Sequence, residues 1–594
     1  MIGPKKDRLD YCSSLKPDDG FCVSKAICFT YSLDFVSLLS TVFALAVDED
    51  MEAKYRNNEI PASHIVEVLM NFKDKLYIYS DAAEIKKPEN ENKIFSIFDS
   101  CIKKFNSKTK KSFHPKLWLI EYVDCKRSND YRYKLLISSR NLAVSHDWDY
   151  GMCFEGDKCN ETRNKTLCSL LNDLSPSFNE LTGRLKNVMF KNYIDKTHFK
   201  IWDVYNTYGE QNKKAFSHSI ILPVFRRERE NTLLMSPFIS DSVLRTIYSR
   251  TKKELTIITR QETLTNIDED IFEDNRVSVY VLSDGYVNSN QDDEQIFGDI
   301  HAKFYLMEYK DHCSIVFGSS NCTNNGLGLN DDSNIESDIV IDFYKRTPEL
   351  KNYFQNTMKE LLDDNLNAFV KVDDNLFNKI RSKRKEKEES FDVASLIKQI
   401  ISIGVEGKYN QESESIVLKT KDSVTTDGFK LYITHFSSPK AYQEFLFKKE
   451  MTFNGISFAK ASRFFLFKVV GKKSYERVLL FDIKNLDTEK RNQEILNGCV
   501  QEKEDVIRYL LYLFDEETGY DQIDMDYNSN DNREGDYAYF GNIEAPLYER
   551  ALELSYSDPD RMRTIVSKFN KLSDDVKKKS GLIDFMNVFL ESIR

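Results

Sequence analysis

His114-Pro115-Lys116-Leu117-Trp118-Leu119-Ile120-Glu121-Tyr122 and His301-Ala302-Lys303-Phe304-Tyr305-Leu306-Met307-Glu308-Tyr309 are two copies of one pattern. Each is a histidine, a spacer, a lysine, four apolar positions, a glutamate and a tyrosine. Each runs through a second apolar stretch to a small polar turn, Ser138-Ser139-Arg140-Asn141 in one copy and Gly318-Ser319-Ser320-Asn321 in the other. The histidines are 187 residues apart (301 − 114) and the asparagines 180 (321 − 141), so the copies keep register except for seven residues in the hairpin between. Matching at this scale marks an internal repeat, and it decides the architecture.

Strand geometry turns the pattern into chemistry. Residues i and i+2 project to one face, so His114 goes with Lys116 and His301 with Lys303. The apolar run behind each lysine suits a strand covered on both faces. Glu121 and Glu308 stand at odd spacing from their histidines and should point away, as structural anchors. Ser and Asn in each turn are natural caps for a following helix, whose N-terminus would favour phosphate. Each copy then offers an imidazole, an ammonium, an amide and a hydroxyl around one point. That set suits a phosphodiester: one histidine attacks, the other protonates the leaving oxygen, and lysines and amides neutralise the non-bridging oxygens. Buried strands alone would not place lysine at the same position twice, because lysine is rarely buried unpaired.

Outward from the repeat, short apolar runs alternate with helical stretches. Leu76–Tyr79, Leu117–Ile120 and Leu135–Ile137 read as strands in the first copy. Leu233–Phe238, Leu255–Ile258, Val277–Leu282, Phe304–Met307 and Ser314–Phe317 do so in the second, with a helix over Ser240–Tyr248. The alternation predicts an α/β layer fold. We divide the chain into a lead-in (1–24), a first half (25–205), a second half (214–375) after the polar stretch Tyr208–Lys214, and a C-terminal α+β accessory domain (376–594). The charged run Arg381–Glu389 marks the last boundary. Beyond it, Glu504–Phe514 reads as an amphipathic helix and Met525–Gly541 as an exposed acidic loop.

Composition narrows the class. At 594 residues with 41% hydrophobic and 30% charged positions, the chain is a folded multidomain protein. A net charge of −11 argues against a basic coat for nucleic acid, though it leaves room for a local groove. Lysines 103, 104, 108, 110 and 111 beside His114 are the candidates to line one. Eleven cysteines occur without a CxxC pair, so no metal site is expected, and the unpatterned odd count fits a reducing cytoplasm. The polar N-terminus lacks the pattern of a signal peptide, and the apolar run Phe35–Val47 is too short to span a bilayer. Asp482-Ile483-Lys484 faintly matches half a metal-nuclease motif but has no upstream acid partner.

The two segments resemble the HKD motifs of the phospholipase D superfamily, H-x-K-x4-D followed by G-S-x-N. Glu121 and Glu308 stand where that family usually has aspartate, and Ser138 replaces the first glycine while Gly318 keeps the second. The resemblance covers roughly residues 25–375. It implies two α/β/α sandwich halves with pseudo-twofold symmetry around one site, a phosphohistidine intermediate, and no metal or other cofactor. On this resemblance His114, Lys116, Asn141, His301, Lys303 and Asn321 are catalytic. The stretches Asn141–Gly151 and Asn321–Val340 are similar to tyrosyl-DNA phosphodiesterases and bacterial nuclease-like relatives. Glu336 matches their orienting carboxylate and is expected to hold His301 protonated as general acid, with His114 as nucleophile. Ser139, Ser319 and Asp149 are expected to contact substrate. The implied function is a nuclease or DNA phosphodiesterase of bacterial antiphage defence, cytoplasmic, with DNA and a partner ATPase or helicase as its contacts and no membrane. The alternatives are a phospholipase or transphosphatidylase, and a non-catalytic nucleic-acid-binding scaffold.

Overall fold

The structure, a computed structural model, describes residue 9 and residues 11–592, leaving out 47–61, 90–91, 106–111, 128, 146, 195–196, 202–204, 207–220, 284–298, 331–332, 363–367, 383–392, 427, 472 and 515–537. Lys108, Lys110 and Lys111, the polar stretch 208–214, most of the charged run and most of the acidic loop lie outside the described residues.

Two mixed eight-stranded sheets carry the repeat. The first holds β1 (Phe21–Thr30), β2 (Leu76–Asp81), β3 (Ile102–Phe105), β4 (Leu117–Asp124), β5 (Tyr131–Ser138), β6 (Gly151–Lys158), β7 (Val188–Ile194) and β8 (Thr197–Ile201). The second holds β9 (Tyr205–Asn206), β10 (Arg229–Met235), β11 (Thr251–Ile258), β12 (Val277–Leu282), β13 (Phe304–Glu308), β14 (His312–Gly318), β15 (Ser337–Tyr344) and β16 (Phe369–Lys371). Their spatial orders are β3-β2-β1-β4-β5-β6-β7-β8 and β16-β12-β11-β10-β13-β14-β15-β9, so the run β3-β2-β1-β4-β5-β6 has its counterpart in β12-β11-β10-β13-β14-β15. In both, a parallel triplet meets an antiparallel meander at the strand that follows the His-x-Lys segment.

The first four residues of that strand, Leu117–Ile120 in one half and Phe304–Met307 in the other, are apolar because both its faces are covered. In β4, Leu117 and Leu119 enter a cluster shared with Leu233, Phe304, Leu306, Ile315 and Phe317 of the second sheet. Trp118 and Ile120 enter a different one, against the helices Phe35–Ala46 and Ala62–Phe72. In β13, Phe304 and Leu306 face the shared cluster, while Tyr305 and Met307 face the helix Asp241–Arg250. The two sheets therefore share one core, which brings the ends of β4 and β13 together.

One sequence-based expectation fails here. No helix begins at either polar turn: Asn141 and Asn321 are followed by bends and turns. The Ser hydroxyls that were to cap helices bond instead to the next strand, as described below. The region after residue 375 packs against the first half. It forms two four-stranded sheets, of β17 (Val405–Asn410), β18 (Ser415–Thr420), β21 (Glu450–Phe453) and β24 (Asp482–Lys484), and of β19 (Lys430–His435), β20 (Gln443–Glu444), β22 (Phe464–Val470) and β23 (Ser474–Leu480). Leu466, Leu496, Leu510, Phe514 and Phe569 join the same cluster as Leu38, Val66, Leu69 and Trp118. Arg491 and Asp99 form an ion pair at 2.6 Å with both side chains fully buried.

Cys22 and Cys125 form a disulfide between β1 and the segment just past β4. The cysteine count predicts free thiols. The register of β1 on β4, which a count does not see, brings this pair together. No helix among the described residues is long and apolar enough to cross a membrane.

Candidate active site

His114 and Lys116 lie just before β4, and His301 and Lys303 just before β13. Two backbone crossings interlock these segments. His114 N–H donates to the Ile335 carbonyl at 2.8 Å, and His301 N–H to the Trp148 carbonyl at 2.9 Å. Each histidine is thus hung on the loop that leads into the other half's last meander strand.

The side chains follow the backbone. His114 Nδ1 lies 2.7 Å from Glu336 Oε2, and His301 Nδ1 lies 2.8 Å from Asp149 Oδ1. The serines of the two turns complete the pattern. Ser139 Oγ donates to Asp149 Oδ1 at 2.6 Å and accepts the Tyr150 N–H at 3.0 Å. Ser319 Oγ donates to Glu336 Oε2 at 2.5 Å and accepts the Ser337 N–H at 2.9 Å. Asn334 Nδ2 reaches Glu336 Oε1 at 3.0 Å. Two equivalent Ser–carboxylate–His chains therefore cross between the halves.

This corrects one assignment. Glu336, expected to hold His301, holds His114, and His301 is held by Asp149. Ser139 and Ser319 donate to Asp149 and Glu336. The sequence identifies the loops, but which imidazole each loop reaches depends on the backbone crossings.

The lysines set the protonation. Lys116 Nζ lies 3.1 Å from His114 Nε2 and 2.9 Å from the His114 carbonyl, and Lys303 Nζ lies 2.6 Å from the His301 carbonyl. An ammonium only donates, so His114 Nε2 accepts and the ring proton is on Nδ1, donated to Glu336. Burial, then the charges of Lys116 and Lys303, hold His114 well below the usual histidine range. Burial and Lys303 bring His301 down to about 4 against the pull of Asp149. Asp149 is lowered: burial raises it, but the bonds from His301 and Ser139 prevail. Burial pushes Glu336 up to about 8 and Asp338 to about 7. Burial also brings Lys116 down to about 8, and burial and then the charge of Lys116 hold Lys303 well below the usual lysine range. Two under-solvated ammonium groups beside two imidazoles form a seat for an anion.

Asn141 Oδ1 accepts the Ser32 N–H at 3.5 Å, tying its turn to the end of β1. Asn321 Oδ1 is buried without a hydrogen-bond partner, an amide with an unmade bond beside the site. Tyr31 packs its ring 4.8 Å from that of His114, with Lys116 5.6 Å above it. Tyr31 and Asn334 were not singled out from the sequence. Tyr31 follows a strand that carries no motif, and Asn334 sits two residues before a carboxylate that was recognised. Glu121 and Glu308 point away, as their odd spacing predicts. Arg184 binds Glu121, and Lys345 with Asn231 binds Glu308. Among the described residues no group of His, Cys, Asp and Glu is arranged to hold a metal ion, and Asp482 pairs with Arg463.

No family model and no curated protein matches the chain. Solved structures do. A histidine-to-asparagine mutant of yeast tyrosyl-DNA phosphodiesterase is 12% identical and covers 56% of this chain and 85% of its own, with a TM-score of 0.35. The unsubstituted yeast enzyme is 13% identical and covers 55% and 83%, with a TM-score of 0.34. With superposition this loose, the chemistry below rests on the residues of this chain.

Proposed function

We propose that the chain is a phosphodiesterase of the phospholipase D kind, its two halves related by pseudo-twofold symmetry about one site. The observation that supports this reading above others is the pair of crossed Ser–carboxylate–His chains with a lysine beside each histidine. An imidazole whose Nδ1–H is fixed on a carboxylate presents Nε2 as a nucleophile or a proton carrier. In the first step His114 Nε2 attacks phosphorus, and the bond to the leaving oxygen breaks as His301 Nε2 gives that oxygen its proton. In the second step His301 takes a proton from water, the water oxygen attacks phosphorus, and the bond to His114 breaks. Lys116, Lys303, Asn141 and Asn321 neutralise the non-bridging oxygens in both steps. An incoming phosphodiester anion supplies the charge that raises His301 and loads it as the acid.

We take DNA as the substrate, on the likeness of Asn141–Gly151 and Asn321–Val340 to the DNA phosphodiesterases and their nuclease-like relatives. Antiphage defence and a partner ATPase or helicase belong to the same reading. The test is to incubate purified protein with labelled single- and double-stranded DNA, RNA and phospholipid, beside His114→Ala and His301→Ala. Cleavage of DNA lost in both variants supports the proposal. Cleavage of lipid alone refutes the substrate, and cleavage that survives both substitutions refutes the site.

A further inference from the structure

Lys398, in the region after residue 375, reaches the segment that carries His114. Lys398, on the helix Val393–Ser402, places Nζ 2.7 Å from Ser112 Oγ and 3.0 Å from Asp81 Oδ2. Asp81 ends β2 and is buried. Its Oδ2 also accepts the N–H of Phe113 at 2.9 Å, and its Oδ1 that of Ala83 at 3.1 Å. Ser112 is tied across the halves: its carbonyl accepts the Ile335 N–H at 2.8 Å, and the Ile335 carbonyl accepts the His114 N–H at 2.8 Å. One ammonium thus grips both groups that fix residues 112–114, and the other rail of that ladder is Ile335, next to Glu336.

The second half does the same work with its own residue. Arg260 Nε donates to the Ile300 carbonyl at 2.8 Å and lies 3.1 Å from Asp299 Oδ2, just before His301. Strand register makes Asp81 and Arg260 counterparts. Thr30 Oγ1 accepts the Leu142 N–H at 2.9 Å and Ser236 Oγ the Cys322 N–H at 3.0 Å, so Thr30 corresponds to Ser236. Thr30 pairs with Ser80, and Met235 with Ile258. One step on, Ser236 stands opposite Thr259, so Ser80 matches Thr259 and Asp81 matches Arg260. Where the second half carries a guanidinium, the first carries a carboxylate, and its cation arrives from residue 398.

We propose that Lys398 is a positioning residue for His114, supplying the cation that the first half lacks and making the C-terminal region part of the active site. The inference deepens the phosphodiesterase reading and rests on it. Its charge also bears on the imidazole: Lys398 is among the groups that oppose protonation of His114, after burial, Lys116 and Lys303. Glu336, Lys116, Lys303 and Tyr31, the other groups facing that imidazole, stay unchanged in the variants below.

The experiment compares full-length Lys398→Met, Lys398→Arg and the neutral pair Lys398→Met with Asp81→Asn. Thermal melting, kcat and KM on a nitrophenyl phosphodiester, and the pH midpoint of His114 acylation by diethylpyrocarbonate are read for each. Acylation is followed by peptide mass, without reference to activity. Lys398→Met should lose about tenfold or more in kcat with little change in KM. Lys398→Arg should keep most of it. The neutral pair should regain thermal stability but stay slow, and the acylation midpoint should rise in Lys398→Met, which loses the cation and keeps Asp81. Recovery of kcat in the neutral pair, or an unmoved midpoint, overturns the proposal. An inactive wild type would refute the phosphodiesterase reading instead, and the midpoint would still decide whether Lys398 acts on His114.

Discussion

His114 and Glu336 are 222 residues apart in the chain and 2.7 Å apart in space, Nδ1 to Oε2, across the two halves of the repeat. The equivalent contact of His301 with Asp149 runs the other way. Neither half contains a complete site, since each lends the other the carboxylate that fixes its imidazole.

Removing either carboxylate should therefore damage the histidine of the opposite half. Glu336→Gln and Asp149→Asn keep shape but replace the oxygen that orients each ring with an amide, and Asp149→Asn also removes the charge that supports the imidazolium. Each should lower kcat by about 10²–10⁴-fold, the range of a misdirected general acid or base. Stopped-flow release of a nitrophenolate group separates them. With Glu336→Gln the formation of adduct should slow; with Asp149→Asn the adduct should form from a good leaving group and turn over slowly. The same defect in both would mean the contacts are not divided between two roles.

Much of this was legible in the sequence, and the limits have physical causes. Two His-x-Lys segments in register point to one composite site, because lysine twice at a buried position needs a reason. Asp149 and Glu336 were both identifiable in the loops. Their partners were not, because the crossings of Ile335 onto Ser112 and His114, and of Trp148 onto Ile300 and His301, are long-range pairings without local signature. Lys398 lies in an ordinary amphipathic helix, where a lysine is usually just solvated. The helix Lys503–Phe514 showed its apolar face, but not that Leu69 and Trp118 lie in the same core.

Catalysis should survive chelation. Positive charge at the phosphate comes from Lys116 and Lys303, and no cage of His, Cys, Asp or Glu is present among the described residues. Hydrolysis rates with and without EDTA check this. Loss restored by magnesium would refute the mechanism.

The C-terminal region should prove inseparable from the rest. Arg491 Nη1 lies 2.6 Å from Asp99 Oδ2, and Arg491 Nη2 donates to the Ser96 carbonyl at 2.8 Å. Arg491→Met leaves a buried carboxylate alone and should cost about 3–5 kcal/mol in denaturant unfolding. A chain ending at residue 375 should be insoluble, since it bares the face of Leu38, Val66 and Leu69. A soluble, active truncation would restore the accessory-domain reading.

Acid should destabilise the fold through His435. This side chain is buried, bonded to Ser437 and Ser462, and burial brings it down to about 4. Its folded value is depressed below the unfolded one. Between pH 6.5 and 4 the unfolded chain therefore binds a proton that the folded chain does not. Its contribution is intact above the unfolded value and is lost as pH falls toward the folded one, by up to about 3 kcal/mol. Urea melts of wild type and His435→Gln across that window should show a shallower pH slope in the variant. Parallel slopes would place the titration elsewhere.

His114 should carry the covalent phosphate. The paired carboxylates do not distinguish the histidines, but the lysines do. Both lysines donate to the carbonyl of their own histidine, but Lys116 Nζ also lies 3.1 Å from His114 Nε2, where an ammonium requires a lone pair on that nitrogen. A nitrogen already accepting a hydrogen bond is the one prepared to attack once the lysine moves to a phosphoryl oxygen. Trapping with a good-leaving-group substrate, then mass spectrometry, should find an acid-labile, base-stable phosphate on the His114 peptide. His114→Ala should form no adduct. His301→Asn should load and then stall, because the second step needs His301 to take the proton from water. Phosphate on the His301 peptide of the wild type would exchange the two roles while leaving the composite site in place.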